Sequence, residues 1–176
     1  MYIRSYQLPH AFLLFTFFLF ACERESPVLI KIHDGPFDEV GVKSGYVNLK
    51  GDTIIPLGKY YYCYTDTFVT HAVVLKQGGG CVAIDGHERE LFEVVWFDNG
   101  PDPICEGLFR IRQNDKIGYA NRRGEMIIEP QFACAFPFEN GKAKVAFHCE
   151  RVAEGEHTRL DSDQWFYIDK RGRRLD

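Results

Sequence analysis

The chain of 176 residues carries 21 Lys and Arg against 25 Asp and Glu, a mildly acidic balance that argues against a nucleic-acid partner, because phosphate binding draws its affinity from a basic surface. Without its first 21 residues it has the length of one domain with a single modest core. Sixteen Gly and eight Pro punctuate short apolar runs rich in aromatics, a pattern that favours strands and turns, and no window sustains helical periodicity.

The first ten residues hold Arg4 and no acid, and they lead into Ala11–Phe20, apolar except for Thr16. Ten apolar residues are too few to cross about 30 Å of hydrocarbon, so residues 1–21 are predicted to be a removable export signal and not a spanning helix. The following Leu19-Phe20-Ala21-Cys22 resembles the bacterial lipobox, which implies that Cys22 receives diacylglycerol and becomes the first residue of the mature protein. At about 0.8 kcal/mol per buried methylene, two or three acyl chains would anchor it stably to a membrane without spanning it. Glu23, by analogy with enterobacterial sorting, points to the outer membrane of the cell envelope. Residues 22–27 read as a short tether, and five extended residues reach at most about 18 Å, which would keep the domain over residues 28–176 close to the bilayer.

Val28–Ile32 reads as a strand, and an internal repeat follows. Gly45-Tyr46-Val47-Asn48, with Gly51 and the pair Ile54-Ile55, recurs as Gly118-Tyr119-Ala120-Asn121, with Gly124 and Ile127-Ile128. Degenerate copies start at Cys81 and Trp165, which anchors the units at Asn48, Asp85, Asn121 and Asp169. Glu106–Ile111 matches Asn140–Val145 in phase. Each unit is predicted to be a strand ending in Asn or Asp, a tight glycine turn, a second strand ending near Pro, an irregular link, and a third strand alternating apolar residues. The longer spacing before Asp169 is assigned to a polar inserted loop around Cys149–Asp163. A unit of roughly 36 residues cannot bury its own apolar face, so neighbours must stack. The predicted fold is all-β, an open curved array of about three and a half three-stranded β repeats.

At these residues the chain resembles the WG-repeat family, also called KWG repeats, whose units run as Trp-Gly, an aromatic-Ile-Asp strand, a glycine turn, paired Ile with Pro, then Phe-x-x-Gly and an alternating strand. The resemblance covers most of residues 45–175. The Trp place holds Ser44, Cys81, Ile117 and Trp165, and the next Gly is kept only at Gly45 and Gly118. What the resemblance implies is a binding or scaffold role, with no shared catalytic chemistry.

Few constellations suggest chemistry. Gly78-Gly79-Gly80 lacks the Lys-Ser or Lys-Thr of a phosphate loop and falls where the repeat places a hairpin turn, opposite Asn114-Asp115-Lys116. Cys63, Cys81, Cys105, Cys134 and Cys149 form no C-x-x-C pair and have no His at zinc spacing. In an exported protein they could form disulfides, and two bridges among five can be drawn in about fifteen ways, with at least one thiol left over. Asp98–Pro103 offers oxygen ligands for calcium, but a plain turn explains every residue equally well. No metal or cofactor is expected.

Tyr60, Tyr62 and Tyr64 are the candidate ligand-binding residues. As a strand, the run would set these three on one side and Tyr61 with Cys63 on the other, and aromatic faces with hydroxyls suit a protein or glycan partner. Packing of all the tyrosines between repeats is the alternative. The function expected is a membrane-anchored exported lipoprotein acting as a non-enzymatic binding or scaffold module. The reading from another class is a small exported hydrolase with its site between repeats.

Overall fold

The computed structural model describes residues 28–36, 41–155 and 157–175. The export signal, Cys22 and the tether lie outside these residues. Among the described residues all regular structure is β, and there is no helix long and apolar enough to cross a membrane.

Four sets of three antiparallel strands carry the fold. The first is β1 (Leu29–His33), β2 (Ser44–Asn48) and β3 (Thr53–Ile55). The link strands β4 (Tyr62–Cys63) and β5 (Thr67–Phe68) precede the second set, β6 (Ala72–Leu75), β7 (Cys81–Ile84) and β8 (Glu90–Val94). A small hairpin, β9 (Trp96–Phe97) with β10 (Gly100–Pro101), leads to the third set, β11 (Leu108–Gln113), β12 (Lys116–Asn121) and β13 (Met126–Phe132). After β14 (Cys134–Ala135) comes β15 (Lys142–Ala146), followed by the hairpin β16 (Glu150–Glu154) and β17 (His157–Asp161), and β18 (Phe166–Asp169) with β19 (Arg174–Leu175) completes the fourth set.

The strand that closes each sequence unit pairs with the strand that opens the next, as β11 does with β12 and β15 with β18. Sets therefore straddle the sequence units, and β1, standing ahead of the first motif, fills the place of a closing strand. This is why three and a half sequence units build four sets. The second and third sets join through β8 and β11 into a seven-stranded sheet edged by β4 and β13, and none of the sheets is closed.

Stacking creates a core at each junction. Leu29, Tyr46, Ile55 and Phe68 meet Val74, Val82 and Ile84 between the first two sets. Cys81, Ala83 and Phe92 meet Phe109, Ile111 and Ala120 between the next two. Tyr119, Ile128 and Phe132 meet Val145 and Ile168 at the last. β7 is buried along its whole length because its two faces serve different cores, which explains its unbroken apolar run Cys81–Ile84.

Each anchor Asn or Asp builds the same turn. Asn48 Oδ1 accepts the amides of Lys50 and Asp52, and Asn121, Asp85 and Asp169 do likewise with the residues two and four ahead. The fourth residue complements the anchor. The Asn48 and Asn121 amides donate to Asp52 and Glu125, whereas the Asp85 and Asp169 carboxylates accept from Arg89 and Arg173. Gly51 and Gly124 occupy equivalent turns at φ +88° and +76°. A Cβ at Gly51 meets open space, but one at Gly124 would stand 2.7 Å from the His71 ring. Gly51→Ala is thus expected to cost about 1 kcal/mol of left-handed strain, and Gly124→Ala clearly more. Urea denaturation midpoints of the two variants measure the difference.

The expected polar loop at Cys149–Asp163 is instead the β16–β17 hairpin, whose strands pair from Glu150↔Asp161 to Glu154↔His157. Cys149 at its base is bonded to Cys134 of β14. Cys63 and Cys81 are buried free thiols and Cys105 is a half-buried one.

Candidate functional site

The tyrosine run is not one continuous strand. Only Tyr62 and Cys63 pair regularly with β6, opposite Leu75 and Val74. Cys63 points into the first core, its amide bonded to Ser44 Oγ at 3.0 Å. Tyr60 packs against that same core and donates to Glu88 at 3.2 Å, and burial together with this carboxylate pushes its pKa up to about 12. Tyr60 therefore shares the side of Cys63, a correction to the grouping expected from strict alternation, which fails because the chain becomes regular only at Tyr62. Tyr61 is 65% exposed.

Tyr62 and Tyr64 do lie together, half-buried, with ring centroids 4.8 Å apart. Tyr64 continues edge-on to Trp96 at 6.4 Å, and Lys31, ion-paired with Asp66, sits over the Tyr62 ring at 5.8 Å. The result is an aromatic strip running from β4 to the β9–β10 hairpin. Two hollows border it, and Tyr64 lines both. The smaller, about 350 Å³, includes Lys31, Tyr61 and Asp66. The other, about 380 Å³, has an apolar lining from Val73, Val94, Phe109 and Ile104, with His71 and Arg122 among its polar groups.

His71 stacks on Phe109, with centroids 6.3 Å apart and planes 12° from parallel. Burial holds its pKa below the usual histidine value, against a hydrogen bond to the Arg123 backbone that works the other way. The unfolded chain thus takes up its proton near pH 6.5 while the folded chain resists, so the stability that His71 allows above that pH is lost as pH falls below it. The melting temperature is expected to drop between pH 7 and 5, above the carboxylate range, and to drop less in His71→Phe, which keeps the stack.

Asp102, on the wall of this hollow, is buried and held by Arg110. The Arg110 amide donates to Asp102 Oδ2 at 2.7 Å, Nε to Oδ1 at 3.0 Å, and Nη2 forms a further ion pair. Arg110 Nη1 also donates to the Ala135 carbonyl at 3.0 Å, and its guanidinium lies over Phe97 at 5.6 Å. One ion pair therefore fastens the link before β11, β11 itself and the next link. Asp102 belongs to the Asp98–Pro103 run, whose residues form a hairpin and this buried pair. Trp96, His71, Arg122 and the Asp102–Arg110 pair carry no motif. Arg110 had one signal, a charge between Phe109 and Ile111 in a strand buried from Leu108 to Ile111.

No group of three His, Cys, Asp or Glu side chains among the described residues could hold a metal ion. A third hollow of about 410 Å³ is bordered by His148, Glu150, Asp161 and Asp163, but the Cys149 sulfur beside them is in the disulfide and offers no thiolate.

Residues 117–146 match the family model described as WG containing repeat. The chain carries a WG repeat. No curated protein and no solved structure matches it. The matched WG repeat runs from β12 to β15, and the structure gives physical reasons for its signature. A Cβ at Gly118 would overlap the Ile128 carbonyl and crowd Pro130, so only glycine lets β13 cross this closely. Tyr119 is buried and its hydroxyl donates to the Phe136 carbonyl at 2.7 Å, tying down the irregular link. The first copy repeats both features, with Gly45 against Ile55 and Tyr46 donating to the Thr65 carbonyl at 2.7 Å. Burial keeps both phenols far above their ordinary pKa, so they remain donors.

Proposed function

We propose that the mature protein is an exported, lipid-anchored, non-enzymatic binding module whose ligand surface is the aromatic strip Tyr62, Tyr64 and Trp96. The observation that carries the binding role is the strip itself. Tyr62 borders one hollow, Tyr64 borders two, and Trp96 stands edge-on to Tyr64, all three half-buried or exposed, whereas Tyr46, Phe68, Tyr119 and Phe132 are almost wholly buried. Rings with one apolar face and a polar tip bind peptides or sugars at small conformational cost. A hydrolase with a cysteine nucleophile would need a free thiolate at a hollow, and Cys149, beside His148, is in a disulfide.

Export and anchoring rest on the apolar run Ala11–Phe20, on Cys22 behind it, and on the Cys134–Cys149 bridge, since such bonds persist in oxidising compartments outside the cytosol. Glu23 favours the outer membrane, with the repeat domain held against the bilayer by its tether. The binding role is tested on glycan and peptide arrays with the combined variant Tyr62→Ala, Tyr64→Ala, Trp96→Ala. It should keep a melting temperature near that of the parent and lose array retention, whereas Tyr60→Ala should lower the melting temperature. A parent that retains neither class, or a triple variant that unfolds, contradicts this reading.

A further inference from the structure

The repeat allows one junction to be compared with another. At the last junction the residue after the anchor Asp169 is Lys170, whose ammonium pairs with Glu106 at 2.9 Å. Glu106 stands two residues ahead of β11. At the preceding junction the residue after the anchor Asn121 is Arg122, and the residue two ahead of β6 is Thr70. The third set's turn lies on the start of β6, with Gly124 against His71, as the fourth set's turn lies at the start of β11 through Lys170. A cation is thus kept where its acid is replaced by a neutral side chain. Among the described residues no carboxylate lies within ion-pair distance of Arg122, whereas its neighbour Arg123 pairs with Glu125 at 2.9 Å.

Arg122 and Thr70 both line the hollow of about 380 Å³ beside Tyr64. Its acid, Asp102, is saturated by Arg110, and burial keeps His71 neutral at pH 7. The hollow therefore presents an apolar lining of Val69, Val73, Val94, Ile104 and Phe109, with one uncompensated guanidinium at its edge. Its size falls in the range of small-molecule sites, and a guanidinium with no internal partner is a ready bidentate donor to a carboxylate.

We propose that this hollow binds a small amphipathic carboxylate, its apolar body over Phe109 and Ile104 and its carboxylate on Arg122 in the place that Glu106 fills for Lys170. The proposal rests on the binding-module reading and names a ligand class for it. The test titrates the full chain in detergent, with a detergent-only blank, using 2-naphthylacetate and its neutral isostere 2-naphthylacetamide. The carboxylate should bind at least about tenfold more tightly than the amide, as a charge-assisted bidentate contact provides. Arg122→Gln should bring the two within about twofold, and so should Thr70→Glu, which restores the internal acid. Arg123→Gln should keep the preference, and melting temperatures should confirm that all three variants fold. Equal affinity in the parent, a preference that survives Arg122→Gln, or binding of neither probe would overturn the proposal. Array retention through Tyr62, Tyr64 and Trp96 would still stand in any of these cases, so the two readings fail separately.

Discussion

Asp102→Ala is expected to destabilise the protein by about 3–5 kcal/mol, the range for removing one partner of a buried ion pair. The loss comes less from the pair's own attraction than from what remains behind. Arg110 is almost wholly buried in its strand, and without Asp102 it keeps only the Ala135 carbonyl and the face of Phe97. Its backbone amide would lose an acceptor as well. Denaturation in urea, followed by tyrosine and tryptophan fluorescence, gives the free energy. The double variant Asp102→Leu, Arg110→Met should recover much of the loss, because an apolar pair of similar volume removes both desolvated charges together. If the double variant were as unstable as the single one, the ion pair would not be the cause.

Loss of the Cys134–Cys149 bond ranks next. It closes a loop of 15 residues, for which the chain-entropy account gives about 3 kcal/mol. The bond ties β14, which pairs only through Cys134 and Ala135, to the base of the β16–β17 hairpin. Dithiothreitol should therefore lower the melting temperature of the parent by several degrees and leave Cys134→Ser, Cys149→Ser unchanged. The double variant should match the reduced parent. A melting temperature insensitive to reductant in the parent would show that the bond contributes nothing.

Much of the fold was legible because period-two alternation and turn chemistry are local. Asn48, Asp85, Asn121 and Asp169 mark turns whose bonds run only four residues ahead, so spacing alone located them. The triple glycine was legible for the same reason, since all three residues take positive φ between β6 and β7. What spacing could not show was which strands pair, because the pairing of β11 with β12 crosses the boundary of the sequence unit. The site was less legible. Tyr62 and Tyr64 were found by density of aromatics, but Tyr60 was misplaced by assuming a regular strand through Tyr61. Trp96 joins Tyr64, and His71 joins Arg122, only in three dimensions, from separate segments. The choice among disulfide pairings was likewise closed to spacing, since it is the pairing of β14 with β15 that brings Cys149 to Cys134.

We propose that this repeat domain works as a binding module held on a membrane by Cys22. Its most direct test is metabolic labelling of the full chain with radioactive palmitate in a Gram-negative host, followed by gel electrophoresis and membrane fractionation. Label is expected in the parent, which should sediment with membranes, and neither label nor membrane association in Cys22→Ser, because ten apolar residues are too short to anchor it stably. An unlabelled parent, or a Cys22→Ser chain that still takes up label, would contradict it.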